Sequence, residues 1–156
     1  MKAVVTKENF KKILNIVSHI VGHAASLPIL SNILLQTEKG RIKISATNLE
    51  IGLTAWLGGR VEEDGRLTLP AKTINDYIAT TLGDQISLET EKNNLIISTD
   101  SSRATIKTLP ADEFPLIPQV VPTGMVSIDS AELRMALSEV IFAAAPFETQ
   151  PELSCV

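Results

Sequence analysis

The sequence predicts an α+β fold in which two strand–helix–three-strand units place adjacent helices on antiparallel sheets, and three observations carry that expectation. Apolar residues alternate with polar ones in several short segments, as half-buried strands require, and recur at helical spacing in two others. The whole pattern also repeats. Shifted by 53 positions, ILLQTEKGRIKISATN (Ile33 to Asn48) falls on ISLETEKNNLIISTDS (Ile86 to Ser101), with Thr37-Glu38-Lys39 on Thr90-Glu91-Lys92 and Ile44-Ser45 on Ile97-Ser98.

Taken in order, Ala3 to Val5 reads as an extended segment leading into a helix, where Phe10, Ile13, Leu14, Val17 and Val21 share one face behind a capping Thr6. Ile33 to Asn48 reads as a hairpin turning at Lys39-Gly40, and Ile51 to Leu57 as a further strand. The second unit starts with Leu67 to Leu69, and a helix follows behind Pro70 on Ile74, Tyr77, Ile78 and Leu82. Its hairpin turns at Asn93-Asn94, and Ala104 to Thr108 closes the unit. Half-buried strands leave one apolar face to be covered, and each unit's own helix is the nearest cover. The first helix then turns Lys12, Asn15 and His19 outward, with Lys11 and Ser18 beside them.

A third copy begins after the proline- and glycine-rich linker PLIPQVVPTG (Pro115 to Gly124). Shifted by 123, Phe10, Leu14 and Val17 fall on Leu133, Leu137 and Val140, and Pro28, Leu30 and Ser31 on Pro151, Leu153 and Ser154. The expected organisation is one domain over residues 1–120 and, over 125–156, the truncated start of a second, made of a strand, a helix and part of another strand. The apolar residues of that second helix need a covering surface, and the chain is expected to be a fragment of a longer protein.

The chain has 156 residues, 44% of them hydrophobic, enough for a buried core. No apolar run approaches the roughly 20 residues of a membrane helix, and with one cysteine, Cys155, no internal disulfide can form. A cytoplasmic protein is expected. Net charge is −4, which argues against indiscriminate coating of nucleic acid, yet Lys2, Lys7, Lys11 and Lys12 against Glu8 give residues 1–23 a charge of +3. An acidic body with a basic first segment can still turn one positive face to phosphate.

LPILSNILL (Leu27 to Leu35), SATNLEIGL (Ser45 to Leu53), LPAK (Leu69 to Lys72) and LPADEFP (Leu109 to Pro115) resemble, in order and spacing, segments of the bacterial DNA sliding clamp, the beta subunit of the replicative DNA polymerase. FAAAPFETQPELSCV (Phe142 to Val156) is similar to the opening of that family's second domain. The resemblance implies a DNA-clamp fold and a non-enzymatic processivity factor: a homodimeric ring, lined by helices, that encircles duplex DNA without regard to sequence and tethers the polymerase, after loading by a clamp loader. It implies DNA contacts from Lys11, Lys12, Asn15, His23, Lys72 and Gln150. The chain departs from the family at two loops, having His23-Ala24-Ala25 and Thr149-Gln150-Pro151 where an arginine is common, so the helix lysines carry most of that expectation. The ring's dimer contact is implied at the edge strand, through Arg103, Ala104 and Ile106, with Thr73 and Tyr77 of the second helix. The family's pocket for partner peptides lies between later domains, outside this chain.

Other chemistries have thin support. His19 and His23 lack the glutamate of H-E-x-x-H and a third ligand, so no metal is expected, and no motif calls for a cofactor. Gly58-Gly59 reads as a turn, as does the acidic run Glu62-Glu63-Asp64 before Gly65. Trp56 reads as core or rim packing rather than a base-stacking platform. No serine sits in a G-x-S-x-G frame, which leaves a small hydrolase with little in its favour. A scaffold for protein partners alone is the other reading, and a helix face without basic character would distinguish it.

Overall fold

The computed structural model describes residues 1–21, 27–118 and 124–144. It comprises two compact bodies, Met1–Pro118, which holds both strand–helix–three-strand units, and Gln119–Val156. In the first, β1 (Lys2–Thr6) enters α1 (Lys7–Ser18), and a short helical turn (Pro28–Ser31) precedes the meander β2 (Asn32–Glu38), β3 (Arg41–Thr47) and β4 (Gly52–Leu57). Then β5 (Gly59–Glu63) and β6 (Arg66–Pro70) lead into α2 (Ala71–Thr80), and β7 (Gln85–Glu91), β8 (Asn94–Ser98) and β9 (Arg103–Lys107) form the second meander.

The strands do not stay with their own units. One antiparallel sheet has the order β5-β1-β7-β8-β9 and the other β4-β3-β2-β6, so each unit's leading strand joins the other unit's meander. Exchanging the two units turns one order into the other, as a pseudo-twofold axis requires, with β5 added outside β1. The registers repeat as well: Leu35 faces Ile44 as Leu88 faces Ile97, and Val5 faces Ile86 as Leu69 faces Ile33. The helices lie against one another. Phe10, Leu14 and Val17 of α1 and Ala71, Ile74 and Ile78 of α2 join the inward residues of both sheets in a single core, which ties the packing to the period of each element.

Several expectations are corrected. Thr6 is the N-cap residue of α1, but its side chain makes no capping bond; instead the Lys7 N–H donates to the Asp84 carbonyl at 2.8 Å. α1 ends at Ser18, short of Val21, because Ser18 Oγ and the His19 ring both donate to the Asn15 carbonyl, at 2.9 and 2.6 Å. A carbonyl only accepts, so Nδ1 of His19 is the donor in this contact. α2 stops at Thr80, where the Thr81 hydroxyl donates to the Tyr77 carbonyl at 2.7 Å, and Leu82 falls outside the helix at 72% exposure. The second hairpin turns at Lys92-Asn93, since Asn94 already pairs with Glu91; Lys92 supplies the positive φ of 54° there, as Lys39 (52°) and Gly40 (73°) do in the first.

Gly59 and the two glutamates of the acidic run are not turns. Gly59 through Glu63 form β5, whose Arg60 and Val61 pair with Val4 and Ala3 of β1, and the chain reverses only at Asp64-Gly65. In the second body, α3 (Ser130–Val140) starts at Asp129, whose carboxylate accepts from the Ala131 and Glu132 amides at 2.8 and 3.2 Å. The strand expected before it is absent from the described residues 124–129. A leading strand in this architecture pairs with another unit's meander, and the described residues beyond 123 contain no meander. Leu133, Leu137 and Val140 are exposed.

Candidate nucleic-acid interface

α1 presents Lys11, Lys12 and Asn15 to solvent, with His19 exposed just past its end, and α2 presents Lys72 and Thr73. Burial of Phe10, Leu14 and Val17 fixes this orientation, because residues at the intervening positions must point away from the core. Among the described residues, Lys11, Lys12 and Lys72 form no ion pair. Lys2 differs. Its ammonium lies 3.3 Å from Glu62 of β5, and the hydrogen bond and charge of Glu62 raise its pKa above the usual lysine value. Glu62 is held below the usual carboxylate range by hydrogen bonds from Arg60 first and Lys2 second. Lys2 is thus neutralised locally, while among the described residues the three helix lysines form no ion pair and can turn to an anion.

Glu8 and Lys72 are each the second residue of their helix. A carboxylate there complements the helix dipole, whereas a cation opposes it by about 0.3–1 kcal/mol. Lys72 therefore does nothing for α2 where it stands, and its value lies in what it can contact. Asp76, one turn on, is exposed beside it, so the positive charge is concentrated on α1. His23 and Gln150 lie outside the described residues.

The other group of expected residues gathers at the far edge of the five-stranded sheet. Among the described residues β9 has no neighbour beyond it, and the Tyr77 hydroxyl meets Ser102 Oγ at 3.1 Å, which ties α2 to the start of that strand. Arg103 and Thr73 are exposed and Ala104 half-buried. Ile106 is 7% exposed and belongs to the core, so at this edge it can offer backbone groups and little side chain. Sequence reasoning did not find the neutralisation of Lys2, because its partner sits on an unforeseen strand, nor the ammonium of Lys43 lying 5.6 Å over the Trp56 ring.

Two helices side by side, backed by two antiparallel sheets that exchange their leading strands, are the architecture of a DNA-clamp domain. The solved DNA polymerase III subunit beta from Pseudomonas aeruginosa matches with a TM-score of 0.88 at 29% identity, over 98% of this chain and 42% of that one. The beta subunit from Thermotoga maritima matches at 0.87 and 30%, over 94% and 40%. The chain belongs to the family described as DNA polymerase III beta subunit, N-terminal domain, which it matches over residues 1–118. Among curated relatives, the beta sliding clamp of a Synechocystis strain is 29% identical over 100% of this chain and 42% of that protein, and that of Vibrio cholerae 34% over 93% and 40%. The chain spans about two fifths of the length of these relatives.

Proposed function

We propose that this chain supplies the first domain, over residues 1–120, and from residue 125 the start of the second, of a cytoplasmic ring that encircles duplex DNA and acts as a processivity factor for the replicative polymerase. The ring would be a homodimer placed on DNA by a clamp loader, and it would work by topology, with no reaction catalysed. The observation that carries the reading is the exposed helix pair on which, among the described residues, Lys11, Lys12 and Lys72 form no ion pair, on the fold of the clamp family. A ring that holds DNA by enclosure needs little surface affinity, so a few cations on each such domain are compatible with sliding. The edge at β9, with Thr73, Tyr77, Arg103, Ala104 and Ile106, is the surface proposed for the partner protomer, since an unpaired strand is a template for pairing.

Alone, the chain lacks enclosure and retains only the contacts. Each phosphate contact contributes about −0.9 to the slope of log K against log salt, so three lysines predict a slope of about −2 to −3 with no base preference. Fluorescence anisotropy of a labelled duplex across a salt series measures it, and Lys12→Ala is expected to reduce the slope by about one. Binding that resists high salt, or that prefers particular bases, would overturn the proposal.

A further inference from the structure

Away from the helices, the outer face of the four-stranded sheet gathers an aromatic ring and cations. Ile42, Ile44 and Leu57 are buried, so the alternate residues of β3 and β4 face outward. Trp56 stands opposite Lys43 on the neighbouring strand, and the Lys43 ammonium lies 5.6 Å over the indole while pairing with Glu38 at 3.7 Å. The indole is nevertheless 46% exposed. It borders a depression of about 380 Å³ whose other walls are Glu38, Lys39 and Arg41, a size within the roughly 300–1,000 Å³ of small-group binding sites. Glu38 is taken up by Lys43, and among the described residues Lys39 and Arg41 form no ion pair. In a chain of net charge −4, this corner of the sheet is locally positive around an exposed aromatic.

We propose that this depression binds single-stranded nucleic acid, one base stacking on Trp56 and the adjoining phosphates meeting Arg41 and Lys39. An exposed indole flanked by unpaired cations suits a ligand that alternates planar rings with phosphates. Duplex DNA keeps its base faces inside the stack, so it cannot use the indole. The site shares no residue with the helix face and does not depend on a ring.

Trp56 is the chain's one tryptophan, so its fluorescence reports the site directly. Titrating the whole chain with a short oligothymidylate at low salt is expected to give saturable quenching, with a salt slope near −1.4 from two contacts of about −0.7 each. Arg41→Ala should lower that slope by about 0.7. Trp56→Ala should weaken binding of a labelled oligothymidylate by between about fivefold and 150-fold, while its binding to duplex stays unchanged, which also certifies that the variant is folded. Absence of quenching, equal quenching by duplex, or equal quenching by an acidic peptide would each overturn the proposal. Failure of duplex binding with quenching intact would count against the helix lysines as duplex contacts and leave this proposal standing.

Discussion

Gly58 and Gly59 are adjacent, and alanine at each should have opposite effects. A Cβ on Gly58 meets nothing within 4 Å, whereas one on Gly59 lies 2.7 Å from the Val4 carbonyl oxygen and 2.9 Å from Val5 Cγ1. Neither glycine has a positive φ. Removing a glycine from the unfolded ensemble favours both variants by about 0.4–1 kcal/mol. At Gly59 the clash is with the backbone of β1, which is held between β5 and β7 and cannot rotate aside, so relief must come from moving β5, at about 1–3 kcal/mol. Gly58→Ala should therefore be neutral or slightly stabilising, and Gly59→Ala less stable than it by about 1–3 kcal/mol. With a urea m-value of about 1–3 kcal/mol/M, the two midpoints should differ by roughly 1 M. Urea unfolding followed by circular dichroism measures this. If Gly59→Ala were as stable as Gly58→Ala, β5 would not lie against β1, and the neutralisation of Lys2 by Glu62 would lose its basis.

Two further outcomes follow from packing and charge. Phe10→Ala empties a fully buried site between the helices and sheets and should cost about 3–5 kcal/mol, while Leu82→Ala, at a side chain 72% exposed, should stay within about 0.5 kcal/mol; thermal melts distinguish them. Because the pKa of Glu62 is lower in the folded state than its ordinary value of 4.5, its ion pairs add stability above that pH and lose it as pH falls through the folded value. Glu62→Gln should thus lower the melting temperature modestly near neutral pH, and its difference from the parent chain should close in acid.

The helices and the two meanders were legible because their periods are local: Phe10, Leu14 and Val17, or Ile33 and Leu35, declare their face within a few residues. The pairing of leading strands was not, since Val5 facing Ile86 and Leu69 facing Ile33 are relations between distant segments with no local trace. β5 was hidden for a different reason. Its apolar content is Val61 alone, its glycine and paired glutamates imitate a turn, and part of what holds it is charge, from Lys2 and Arg60 to Glu62. The site divides in the same way. Helical spacing turned Lys12 outward with Lys11 beside it, and the family resemblance added Lys72, but which lysines are neutralised depends on strands far off in sequence. Asn48, by contrast, explains its own motif: its side chain accepts from the Glu50 and Ile51 amides at 3.0 and 2.8 Å, which holds Leu49 at a φ of 78° and re-aims the chain into β4.

Exchange of leading strands bears on the helix face itself. α1 departs from a strand paired within the second unit's sheet, and α2 from a strand paired within the first's, so neither helix can move without disturbing the other unit. Unfolding one meander would strip the other unit's leading strand of a partner, which favours a single cooperative core over two independent halves. The inward positions respect the repeat, with Phe10 answering Ile74 and Leu14 answering Ile78, while the outward ones have diverged, Glu8 against Lys72 and Lys12 against Asp76. A symmetric scaffold thus carries an asymmetric charge. An anionic partner running along the helix pair meets Lys7, Lys11 and Lys12 against Glu8 on one side and Lys72 against Asp76 on the other, so its hold on this domain falls mainly on α1.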